Sequence, residues 1–173
     1  MGKFTGPLIA VWLALPLLAA AAGVPPKGSL LIASPSSHDP ELAHAIVLLL
    51  RSDSQGALGL VLNAPTPVPV TTLFPHARAQ SMVVYKGGPL RMGINGLVRE
   101  KSPAPGRSLV FGDVYLVSSK PDLETLLSQS RPDFPVRVYV GLCGWSAGQL
   151  ASEIQRGVWS VRSPSTAAVF APR

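Results

Sequence analysis

From Lys27 onward the chain alternates short apolar runs with polar turns rich in proline and glycine, a pattern that predicts many short strands. Ser29-Leu-Leu-Ile-Ala-Ser34 reads as a first strand, stopped by Pro35 and the polar turn Ser36 to Pro40. Ala45-Ile-Val-Leu-Leu-Leu50 is apolar without alternation, which predicts a strand covered on both faces. Arg51 to Gly56 connects it to a third strand, Leu58 to Leu62, with the spacing of a hairpin on a longer loop. Pro65, Pro67 and Pro69 exclude a helix or a central strand between Asn63 and Pro69, and Val70 to Phe74 predicts a short helical turn. Further strands are predicted at Met82–Tyr85, Ile94–Val98, Val114–Val117, Val136–Val140 and Ala167–Phe170, with sharp turns at Lys86-Gly-Gly-Pro89 and Ser102 to Gly106.

Two helices are signalled by their caps. Ser119 stands before Asp122 and Glu124, carboxylates placed to meet free backbone donors, and Leu123, Leu126 and Leu127 follow at helical spacing. Ser146 precedes Gln149 by three residues, a capping box that predicts a helix from Ala147, with Leu150 and Ile154 inward and Gln149, Glu153 and Arg156 toward solvent. Gly157 supplies the left-handed stop. Helices grouped late in a strand-rich chain, without regular β-α alternation, indicate a single α+β domain. Trp145 and Trp159 flank the second helix and are expected to pack rather than to face a ligand.

The first residues change the domain limits. Met1-Gly-Lys3 gives a positive start, Leu8 to Ala22 is uncharged, and Ala19 to Gly23 offers small residues for cleavage. This layout predicts a signal peptide or hydrophobic leader over residues 1–23 and a folded domain over 27–173. Such a leader implies a periplasmic or secreted protein with no stable membrane span after its removal; an uncleaved leader would anchor the chain to a membrane instead. The 173 residues carry 15 Lys and Arg against 9 Asp and Glu, a net charge of +6 that falls by one with Lys3. The basic residues are scattered rather than gathered on a face, so nucleic acid is not the expected partner.

Cys143 is the single cysteine, which excludes an internal disulfide or a cysteine-based metal cluster and favours a buried thiol. No metal ligand set or cofactor motif emerges: no histidine pair has helical zinc spacing, and neither a phosphate-loop nor a dinucleotide-binding glycine pattern occurs. A hydrolase would need Cys143 or Ser146 as nucleophile, with His38, His44 or His76 as base and Asp39 or Asp113 as orienting group. Gly141-Leu-Cys-Gly-Trp145 does not match the nucleophile elbow, and Ser146 already has a role as a cap. The binding alternative uses the turns Asn63–Pro69 and Lys86–Pro89 as contact surfaces. Its site residues are Gly144, Ser146, Gly148, Gly87, Gly88 and Asn63, where backbone amides could approach a small anionic ligand.

Five ordered blocks add a resemblance. They are Gly28-Ser-Leu-Leu-Ile-Ala-Ser-Pro35; His38-Asp-Pro40 with Ala45–Leu49; Gly56-Ala-Leu-Gly-Leu-Val-Leu-Asn63 with Pro65; Gly87-Gly-Pro89 with Gly112–Ser119; and Gly141–Leu150 with Glu153, Ile154, Gly157 and Trp159. In these the chain resembles the YqgE/AlgH family. The resemblance implies a coiled, partly barrel-like mixed β-sheet flanked by a few helices, with no established mechanism or cofactor, and a transcriptional-regulator label for some members. It also implies a cytoplasmic protein, which the leader opposes. Typical members lack that leader, carry an aromatic where Leu142-Cys143 stands, and continue with a helical tail that is not expected after Phe170. The sequence therefore predicts an exported, non-catalytic binding or structural module with a protein or small anionic ligand as partner. A transcriptional regulator and a cysteine-dependent hydrolase are the alternatives.

Overall fold

The structure, a computed structural model, describes residues 23–35, 42–78, 81–129 and 135–170. Residues 1–22 of the expected leader and His38, Asp39 and Pro40 lie outside these. Ten strands form one curled, half-barrel-like mixed sheet among the described residues. They are β1 (Leu30–Ala33), β2 (Ile46–Asp53), β3 (Gly56–Val61), β4 (Pro65–Pro69), β5 (Val83–Lys86), β6 (Leu90–Arg99), β7 (Ser108–Phe111), β8 (Val114–Val117), β9 (Val136–Ser146) and β10 (Trp159–Arg162). The helices are α1 (Lys120–Ser128), α2 (Gln149–Gln155) and α3 (Thr166–Phe170), with a 3-10 turn at Val70–Thr72. Strand order is β10-β1-β2-β3-β9-β6-β8-β7; β5 lies parallel to β9, and β4 flanks β5.

The unbroken apolar run of β2 is explained by a sheet with a core on each side. Val47, Leu48 and Leu49 are all fully buried, but Leu48 and Leu50 enter one cluster while Val47 and Leu49 enter another. The first cluster fills the inside of the curl with Leu60, Leu97, Tyr139 and Val169. The second lies beneath α2 with Leu150, Trp145 and Trp159. A third joins Leu123, Leu126 and Leu127 of α1 to Val84, Val98 and Val138 of the sheet. Ser119 caps α1 by accepting from the Asp122 amide at 3.4 Å, and its three leucines form the buried face expected from their spacing.

Strand β9 organises the site. Its first half pairs with β6 and β5, and its second half with β3. The changeover falls between Leu142 and Cys143, just past Gly141, whose φ of +82° lies in the left-handed region. The prolines of β4 keep it at the sheet's margin, as their missing donors require.

Several expectations need correction. The β2–β3 loop is short: β2 runs to Asp53 and β3 starts at Gly56, because the Asp53 carboxylate accepts from the Gln55 amide at 2.8 Å and closes the turn locally. The helix expected from Ala147 begins at Gln149, since Ser146 is still in β9 and Gly148, with φ +75°, occupies the N-cap. Ala167–Phe170 is helical, and Ser165 shows why by accepting from the Ala168 amide at 3.1 Å; a short apolar run alone does not distinguish strand from buried helix. Strands β4, β7 and β10 are not among the predicted strands; β4 forms in the segment read as a turn, and β10 extends the sheet beyond β1.

Candidate functional site

The crossing of Lys86–Leu90 over the middle of β9 is closely packed and borders a cleft. The Gly87 amide donates to the Val140 carbonyl and the Gly87 carbonyl accepts from the Val61 amide, each at 2.8 Å. A Cβ at Gly87 would meet the Gly141 carbonyl and Leu60, and one at Gly88 would meet the backbone of Leu142 and Cys143. Gly144 is opposite Leu58 in β3 and lies beneath the Leu90 side chain. These glycines thus serve close strand crossing.

Beside this crossing opens a cleft of about 470 Å³, within the size range of small-molecule sites. Val68, Leu73, Val84 and Val140 give it apolar walls, and Gly88, Pro89 and Gly141 border it. Thr66 and Tyr85 add polar atoms, while Lys86 and Arg91 are the charged residues among its described lining. Both cationic residues are exposed, and so are Val68 and Val140.

The sequence-predicted site residues separate into groups. Gly87, Gly88 and Gly144 meet at the crossing, and Gly88 lines the cleft. Asn63 ties the preceding turn to β2: its Oδ1 accepts from the Ile46 amide at 2.8 Å and its Nδ2 donates to the His44 carbonyl at 2.9 Å. Ser146 and Gly148 lie at the α2 entry. There Gln149 Oε1 accepts from the Ser146 amide at 3.0 Å and from its hydroxyl at 3.2 Å, so the glutamine half of the capping box forms while the serine hydroxyl donates to the glutamine. Thr66, Val68, Lys86, Gly88 and Pro89 at the cleft fall in the two turns expected as contact surfaces, whereas Val84, Val140 and Arg91 are not anticipated, because the strand alternation gives no sign that β4, β5, β6 and β9 shape one cleft.

Glu153 also departs from expectation. It turns inward, and its Oε2 accepts from the indole N–H groups of Trp145 and Trp159, each at 2.8 Å. Its Oε1 accepts from Gln149 Nε2 at 3.0 Å. One carboxylate thus fixes two tryptophans whose rings meet edge-on at 5.8 Å, joining α2 to β9 and β10. Charge-assisted bonds of this kind are the stronger class. Glu153→Ala is expected to lower stability by about 2 kcal/mol and change the tryptophan fluorescence of the folded state; a denaturation midpoint and emission maximum equal to wild type would contradict this role.

Of the residues considered for hydrolysis, Cys143 is 2% exposed and its thiol contacts the Gly87 carbonyl at 3.8 Å. Buried thiols are inert, and this geometry opposes nucleophilic use. His44 and His76 are exposed turn residues. Asp113 sits in the β7–β8 turn, where the Arg99 hydrogen bond at 2.6 Å is the largest influence holding its carboxyl below the usual aspartate range. Desolvation opposes that shift, and Thr166 adds a bond at 3.1 Å. No described helix is long and apolar enough to cross a membrane.

Comparison with known proteins follows the same core. The family model described as AlgH-like matches residues 30–173. A UPF0301 protein of Streptomyces coelicolor is 35% identical over 157 residues, covering 84% of this chain and 79% of the relative. One from Xylella fastidiosa is 34% identical over 140 residues, covering 75% and 73%. Among solved structures, a Corynebacterium diphtheriae protein superposes with a TM-score of 0.70 at 25% identity, covering 86% of this chain and 81% of that one. The solution structure of the AlgH protein from Pseudomonas aeruginosa gives 0.68 at 26% identity, covering 84% and 80%.

Proposed function

Because the chain belongs to the YqgE/AlgH family, we propose that it is an exported, non-catalytic binding module whose contact surface is the cleft beside Gly88 and Gly141. The cleft carries the reading: it combines a concave apolar wall with a few polar groups at its margin, the usual composition of a ligand site. Its position at the strand crossing also favours binding, since Gly88 and Gly141 sit where backbone packing fixes the surrounding surface. Buried Cys143 disfavours the hydrolase alternative. Export is supported by the leader pattern, which precedes the family-matched residues.

Filling the cleft tests the binding function. Val140 is exposed on its wall, so Val140→Trp should occupy the space while leaving the buried strand contacts in place. In a fragment screen by thermal shift, ligands that stabilise the full chain should lose their effect on this variant. Hits that stabilise both proteins equally would place binding elsewhere. For export, cell fractionation with mass determination of the mature amino terminus should find a chain shortened near residue 23 outside the cytoplasm; intact protein confined to the cytoplasm would refute it.

A further inference from the structure

We propose that the cleft takes a small soluble amphiphilic anion, its apolar tail along Val84 and Val140 and its anionic head beside Lys86 and Arg91. This deepens, and rests on, the reading of the cleft as the contact surface. Two separate observations select the class. Among the described lining Arg91 is an exposed cation and no residue is acidic, so the charge it presents complements an anion. Its walls are valine and leucine, which favour a tail rather than a small hydrophilic ion.

The adjoining β4 edge disfavours an extended peptide. Pro65, Pro67 and Pro69 have no N–H to donate, and the Val68 amide already donates to Thr66 Oγ1 at 3.2 Å. The Thr66 hydroxyl in turn donates to the Val84 carbonyl at 2.7 Å. A peptide would find few of the main-chain donors that give strand addition its affinity. A single amphiphile needs none: burial of its tail supplies affinity and the cationic rim orients its head. The planar fork of Arg91 suits a carboxylate or a phosphate head, a shared chemistry that separate ligands distinguish.

Calorimetric titration of the full chain with decanoate, decyl phosphate, decanol and decyltrimethylammonium, each below its micelle-forming concentration, tests the proposal. One or both anions should bind about tenfold more tightly than decanol, and the cationic analogue more weakly still. Lys86→Gln with Arg91→Gln should remove that preference while leaving decanol binding unchanged; Arg91→Gln alone should reduce it, with matched melting curves confirming the fold. Val140→Trp should abolish binding of the tails. Decanol equal to the anions in wild type, with Val140→Trp still blocking it, would overturn the anionic class and leave the cleft as the contact surface. Absence of binding by all four, or binding that survives Val140→Trp, would overturn the cleft reading as well. Sedimentation with anionic vesicles without binding of either monomeric anion would assign the charge to a membrane surface and overturn the soluble ligand.

Discussion

Gly141→Ala should destabilise the protein by about 3 kcal/mol and lower its melting temperature by roughly 10 °C. Two independent terms act at this position. The residue has φ +82°, where an L side chain is strained. An added Cβ would also lie 2.7 Å from the Gly88 carbonyl oxygen and 2.8 Å from that of Leu90. Both obstacles are backbone, so no rotamer relieves them. Relaxation would have to open the crossing between β9 and the Gly87–Leu90 segment, which borders the cleft, and ligand affinity should fall with stability. Urea unfolding measures the effect; a loss below about 1 kcal/mol would show that this crossing yields easily.

A buried ion pair gives the second large effect. Glu100 and Arg107 stand at opposite ends of the loop between β6 and β7 and form a salt bridge with side chains only 4% and 9% exposed. Desolvation pushes the Arg107 pKa down, with Asp122 opposing it. Removing one partner leaves a charge or polar group in a site built for a pair, so Glu100→Gln or Arg107→Leu should each cost about 3–5 kcal/mol. Glu100 Oε2 and Arg107 Nε have no hydrogen-bond partner among the described residues. The pair is therefore incompletely satisfied, and Glu100→Leu combined with Arg107→Leu should be less destabilised than either single variant. A double-mutant cycle by urea unfolding reads the coupling directly; additive losses would mean that the two groups act independently.

What the sequence disclosed depended on how local the determining force was. The α1 cap and its leucine face were legible because Ser119, Asp122, Leu123, Leu126 and Leu127 lie within one short stretch. The buried character of β2 was equally plain from its unbroken apolar run, and strand alternation sends Leu48 and Leu49 to opposite faces, although what covers each face comes from distant elements. The α3 error shows the opposite case. Ala167–Phe170 is too short for periodicity to decide, and the informative residue was Ser165, just outside the run.

The site was legible only in part, for a related reason. Glycines mark places where chains approach, so Gly87, Gly88 and Gly144 stood out, but their partners across the crossing are more than fifty residues away. Glu153 looked solvent-facing because Gln149, Glu153 and Arg156 share a polar helix face; the two indoles that claim its carboxylate come from β9 and β10. Lys86 and Arg91 flank the Gly-Gly-Pro turn in sequence, yet their relation to Val68 and Val140 arises only after β4, β5, β6 and β9 come together. Charges and apolar residues from these four strands make a surface that no contiguous motif records.

Amide-resolved NMR of the full chain during a decanoate titration tests the cleft most directly. The account predicts saturable shifts centred on Val84, Lys86, Gly88, Arg91, Val140 and Gly141, absent from the Val140→Trp variant. Saturable shifts centred instead on the α2 entry at Ser146 and Gly148, or on the Glu100–Arg107 loop, with the cleft residues unmoved, would contradict it.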